Sequence, residues 1–193
     1  MANRKPNKKY YFSVEGETEQ WYLKWLQEII NDTEEAAYKV SIDCPVRKNP
    51  LKHAKSLDAM DNMKKAQNLG KQIIYKSGYS NFTFDLWLIL HMTNCNGAYT
   101  HRKQYITAIN RAYNENFQDM DEFKKEDNFK RCLKKLQLSN VIDAVNRAKT
   151  IMQKNKDNGY ALHQYKGYKY YKENPSLTAW EAIEKILLDC KLI

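Results

Sequence analysis

The sequence predicts an α/β protein: a small, mostly parallel sheet flanked by helices, with a helical C-terminal half. Two observations carry this. Up to Ser80, short β-favouring runs alternate with helical stripes in the order β-α-β-α-β, which argues for parallel strands joined by right-handed crossovers. After Asn81 the apolar spacing becomes helical, and no strong strand follows.

Residues 1–9 are polar and basic and read as a loose arm. From Lys9 to Val14 the run is short, aromatic and β-favouring, a buried strand. Glu15-Gly16-Glu17 breaks it. Trp21, Tyr22, Trp25, Leu26, Ile29 and Ile30 then form a wide apolar helical stripe, with Thr18 placed as its N-cap. Tyr38 to Cys44 alternates with period two and predicts a second strand. Pro50 opens a helix whose apolar residues run from Leu51 to Leu69, with Gly70 just past its end. Lys71 to Ser77 is the third strand. Phe84, Trp87, Leu88 and His91 mark a helix that Leu86, Ile89 and Leu90 make apolar nearly all round, hence buried. Further helices are expected near 102–114, 120–136, 139–155 and 176–190. The natural division is a 1–92 α/β core and a 93–193 helical part packed on it as one continuous domain.

A hydrophobic share of 42% is enough for a real core. Lys and Arg number 32 against 23 Asp and Glu, a formal charge of +9. That excess attracts polyanions: nucleic acid first, then an acidic membrane surface or an acidic partner. The four cysteines form no CxxC pair, the start has no secretory apolar stretch, and no run is long enough to span a membrane. A reducing cytoplasm is the expected setting. No Walker loop, GxSxG elbow, HExxH or dinucleotide glycine pattern is present, so those classes drop out.

Three places could carry chemistry. Glu15 directly follows the first strand, at the edge where open parallel sheets bind ligands, and Glu19 in the next helical turn can point back to it. Carboxylates there suit Mg²⁺, although Glu17 and Glu19 could equally serve the helix dipole. Asp85 is a lone acid at the start of a deeply apolar helix and needs a cation or donors, unless it only caps that helix or lies at the surface. Ser80 or Asn81 is the expected cap. His91, His101 and Cys95 fit no zinc spacing. Finally, Lys166, Tyr168, Lys169, Tyr171 and Lys172 interleave stacking faces with phosphate-seeking charge, as single-stranded nucleic acid requires, or form a surface loop with partly packed tyrosines.

At these motifs the chain resembles the RloB-like family, Toprim-fold proteins of bacterial anti-phage, abortive-infection and restriction-associated loci. The resemblance rests on Glu15-Gly16-x-Thr18-Glu19, on Ser80-Asn81-x-x-Phe84-Asp85-x-Trp87-Leu88-Ile89-Leu90-His91, and on Asn174-Pro175-Ser176-x-Thr178. Family members more often carry glutamate at Asp85 and proline at Phe82. The resemblance implies a Toprim-like core and metal-dependent nuclease chemistry with Mg²⁺ or Mn²⁺. It often implies a partner ATPase of the overcoming-lysogenization-defect type. Glu15 would line the metal site, with Glu19 close by and Asp85 as the acid of the Ser-Asn motif; these three are the candidate catalytic and metal-binding residues. One part of the pattern is missing: no apolar strand ending in Asp-x-Asp lies between Cys44 and Ser80, and Asp58 and Asp61 have the wrong spacing. The expectation is therefore a phage-defence nuclease with a reduced site. The alternative is an inactive protein that binds nucleic acid, DNA or RNA, or an ATPase partner.

Overall fold

Two units make up the chain, Met1–Ser77 and Gly78–Ile193. The computed structural model describes residues 5–48, 78–81, 83–95, 99, 101–165 and 168–193. The expected Pro50–Gly70 helix and Lys71–Ser77 strand lie outside the described residues.

In the first unit β1 (Asn7–Tyr11), α1 (Glu17–Asp32) and β2 (Lys39–Asp43) form a parallel crossover. The register runs from Asn7 opposite Lys39 to Tyr11 opposite Asp43. β1 thus begins inside the stretch read as a loose arm. Its basic residues are tolerated because the strand is only partly covered: Lys8 lies 4.3 Å over the Tyr38 ring, and Asn7 Nδ2 donates to Ser41 Oγ at 2.9 Å. Pairing continues past the strand, since Val14 bridges Val46 in parallel and the Arg47 N–H donates to the Val14 carbonyl at 2.8 Å.

Helix α1 buries Tyr22, Leu23, Leu26 and Ile30, an i, i+1, i+4, i+8 stripe. A second, polar stripe covers the far edge of β2. Asn31 Oδ1 accepts from the Val40 N–H at 2.7 Å while its Nδ2 donates to the Val40 carbonyl at 2.9 Å. Gln27 Oε1 accepts from the Ile42 N–H at 2.6 Å, Lys24 donates to the Ile42 carbonyl at 2.5 Å, and Gln20 donates to the Cys44 carbonyl at 2.9 Å. An exposed strand edge would template wrong pairing; here one helix face satisfies it.

The second unit is built round α2 (Asp85–Met92), in which every residue from Asp85 to His91 is buried. It packs on α3 (Tyr105–Tyr113) and on the long α6 (Leu138–Asp157). The helix expected to close the first part of the chain therefore belongs to the second unit. The span expected as one helix near 120–136 is two short ones, α4 (Met120–Phe123) and α5 (Glu126–Leu133), and the Asp119 side chain caps the first by accepting from the Glu122 N–H at 2.8 Å. Phe117, Phe123 and Phe129 pack in series across this bend. α7 (Ala179–Asp189) lies against α6. The C-terminal half is helical but not wholly so. β3 (Leu162–Tyr165) and β4 (Tyr168–Tyr171) form an antiparallel hairpin that the helical spacing did not announce.

The free carbonyls at the end of α2 are taken by Arg147, which donates to Leu90 at 2.6 Å and to His91 at 3.1 Å. The His91 ring has its Nδ1 2.8 Å from the Trp87 carbonyl, and burial pushes its pKa down to about 4, so the ring is neutral near pH 7. Among the described residues no helix is long and apolar enough to cross a membrane.

Candidate functional site

The strand-end turn of the first unit carries Glu15 and Glu19. Glu15 is exposed, directly after the Val14 bridge, and Glu19 is half-buried in the first turn of α1. Gly16 is the N-cap residue, with φ −127° and ψ 167°, extended backbone that any residue adopts. Its glycine is thus not required by the dihedral angles of the turn. A Cβ at Gly16 would sit 2.7 Å from Glu19 Oε2, so a larger residue here would displace that flexible carboxylate rather than block the turn. The Glu19 carboxylate folds back over the turn, and Thr18 Oγ1 donates to that same oxygen at 2.9 Å. Thr18 therefore holds Glu19 and does not cap the helix.

Glu15 and Glu19 offer only oxygen donors, and Mg²⁺ needs no more than one or two carboxylates together with water. The space over Gly16, which a Cβ would fill, leaves room for one of the two, and Thr18 holds it there. The positive end of α1 opposes a cation there, so any cation would depend on the carboxylate charge to offset it. Among the described residues no three His, Cys, Asp or Glu side chains converge to form a larger metal cage.

Asp85 belongs to the second unit and is fully buried. Its Oδ2 accepts from Thr83 Oγ1 at 2.6 Å and lies 3.0 Å from Lys124 Nζ; its Oδ1 has no hydrogen-bond partner among the described residues. The partner that burial demands is thus Lys124, from the bend between α4 and α5. No spacing in the sequence announces that pair, because its members come together only in the fold. Neither Ser80 nor Asn81 caps α2. Ser80 Oγ donates to the Thr83 carbonyl at 2.8 Å, and Phe84 is the N-cap residue, with no side-chain cap.

The Ser80 and Asn174 motif blocks meet. Ser80 and Leu177 form an antiparallel bridge, the Asn81 N–H donates to the Ser176 carbonyl at 2.8 Å, and Tyr79 Oη lies 2.6 Å from Ser176 Oγ. Asn81 Nδ2 donates to the Glu173 carbonyl at 2.6 Å, closing the exit from β4. Tyr105 Oη donates to Asn174 Oδ1 at 3.2 Å, and Asn174 Nδ2 to the Tyr99 carbonyl at 2.9 Å. These asparagines tie the start of α2 to the approach to α7, which gives both blocks a structural role in this chain.

The tyrosine–lysine segment is the β3–β4 hairpin. Lys169 and Lys172 are exposed, as phosphate contacts require. Tyr171 is not available as a stacking face: it is buried, and its N–H donates to Tyr79 Oη at 3.1 Å. Lys169 and Tyr171 are two residues apart and so share a face of β4, on which Tyr171 is covered and Lys169 is not. Tyr168 pairs with Tyr165 in the ladder. Lys166 lies outside the described residues.

Comparison with curated proteins and with solved structures finds no match. The model of the RloB-like protein family matches residues 42–186. The match begins beyond the Glu15–Glu19 turn and contains both hydrogen-bonded motif blocks together with Asp85 and Lys124. With most of its length matched, and with the two blocks joined in one network, the chain belongs to the RloB-like family.

Proposed function

We propose that this RloB-like chain is a cytoplasmic phage-defence protein that acts on nucleic acid, hydrolysing phosphodiester bonds at the Glu15–Glu19 turn of a Toprim-like scaffold. The observation that carries the reading is the Glu19 carboxylate folded over Gly16 past the carboxyl end of β1, one residue after the exposed Glu15. That edge is where open α/β sheets place ligands. Glu15 and Glu19 would hold Mg²⁺ or Mn²⁺, which when bound supplies an acidified water and charge to offset the phosphate. Thr18 donates to Glu19 in the space that Gly16 leaves, and the chain's excess of Lys and Arg holds the polyanion backbone. Asp85 could add only Oδ1, since Oδ2 faces Lys124 and Thr83.

That ion pair favours a second reading, a protein that binds nucleic acid or an ATPase partner without cutting. One experiment separates the two. Purified chain with Mg²⁺ or Mn²⁺ is incubated with labelled DNA and RNA beside Glu15→Ala and Gly16→Ala. Hydrolysis predicts cleavage that falls about 100-fold or more in Glu15→Ala, and about tenfold in Gly16→Ala, whose Cβ displaces Glu19. Equal cleavage by Glu15→Ala sinks the assignment of the turn. Binding that ignores divalent ions, with no cleavage of either polymer, leaves the second reading.

A further inference from the structure

In the second unit α6, the hairpin and α7 border an open groove of about 850 Å³. Its lining brings together two kinds of surface. Lys154, Lys156 and Lys169 line it, all exposed, and none is ion-paired among the described residues. Beside them are Trp180, Met152 and Leu162, the last half exposed despite being large and apolar. The Trp180 ring is held in place: its Nε1 donates to the Leu177 carbonyl at 3.1 Å, and the Lys149 ammonium lies 5.5 Å from the ring centroid. Lys149 is itself neutralised by Glu184. Two acids also line the groove, Asp157 and Glu181, and Asp157 accepts from Gln153 at 2.7 Å. Positive charge still prevails in the lining, as it does in the whole chain.

A fixed aromatic ring and apolar side chains next to unpaired lysines suit one class of polyanion. Duplex nucleic acid presents phosphate and sugar to a groove while its base faces stay stacked inside, so it would leave Trp180 and Leu162 uncovered. An unpaired strand offers both parts, base faces for the ring and phosphates for the ammonium groups. We propose that this groove binds single-stranded nucleic acid, with bases against Trp180, Met152 and Leu162 and phosphates against Lys154, Lys156 and Lys169. This rests on the nucleic-acid part of the function proposed above and is independent of hydrolysis at Glu15.

The test is fluorescence anisotropy of the full chain in EDTA, with labelled oligo-dT, oligo-U and a duplex of the same length. The single strands should bind at least about tenfold more tightly than the duplex. Trp180→Ala should lose about tenfold, with Trp180→Phe recovering part of it. Lys154→Gln with Lys156→Gln, both at exposed positions that leave folding intact, should lower the slope of log K against log salt by roughly 0.7 for each lysine lost. If duplex binds as well as single strand, or if the lysine variant keeps wild-type affinity and slope, the groove is not the site, while the nucleic-acid reading survives. If no oligonucleotide binds, both fail, and binding to anionic vesicles alone would give the lysines a different ligand.

Discussion

A buried carboxylate shows how much one side chain can demand. Asp85 has no exposed surface, and Lys124 reaches it while keeping a third of its own side chain in water. Removing one partner of such a pair strands a charge, whereas removing both need cost little. Lys124→Met should therefore destabilise the chain by about 3 kcal/mol in urea unfolding, Asp85→Asn by less, and the double variant should recover part of the loss. Strictly additive losses would show that the contact contributes nothing. The same variants bear on metal binding. If Mg²⁺ raises the melting temperature of Lys124→Met and not of the wild type, the freed carboxylate can take a cation that Lys124 ordinarily replaces. From the sequence, the need for a partner was legible in the apolar residues from Leu86 to Leu90. The partner itself was not, because Lys124 lies in a bend whose place beside α2 depends on how α3 and α4 pack.

At the scale of elements, α1 has two faces and only one was legible. The apolar stripe gave the helix, since burying it on the sheet is what periodicity reports. Nothing in the sequence marks Gln20, Lys24, Gln27 and Asn31, yet they satisfy the outer edge of β2. Nothing in amide or lysine composition distinguishes water from a backbone partner. Asn31→Leu keeps the volume but leaves both the N–H and the carbonyl of Val40 without the side chain that now serves them. A loss of about 1–3 kcal/mol is expected, measured by urea denaturation, and a change under about 0.5 kcal/mol would mean that water replaces Asn31 freely. The hairpin was missed for another reason. Lys166-Gly167 is not one of the strong two-residue hairpin pairs, and tyrosine–lysine alternation reads as readily as a binding segment. Once β4 forms, Lys169 and Tyr171 share one face of it, two residues apart, and what covers that face leaves Lys169 exposed and Tyr171 buried.

At the scale of the whole molecule, the family match runs from residue 42 to 186 and crosses the boundary between Ser77 and Gly78. The second unit nevertheless has a core of its own, with α2 enclosed by α3 and α6 and α7 laid on α6. A fragment from Gly78 to Ile193 should therefore fold by itself and melt in one cooperative, helical transition followed by circular dichroism. Its stability should also sense mild acid through His91. The unfolded chain binds a proton below the ordinary histidine value near 6.5, whereas the buried ring refuses it until about 4. Between those values the unfolded state holds more protons, so stability is full above pH 6.5 and falls as pH drops, with a slope approaching about 1.4 kcal/mol per pH unit. Between pH 6.5 and 5, before most carboxylates titrate, the fragment's melting temperature should drop, and His91→Gln should flatten that drop. A gradual, non-cooperative melt at pH 7 would show that the second unit needs the first. A cooperative melt with the same acid slope in His91→Gln would move the acid sensitivity to other groups and leave the independence of the unit standing.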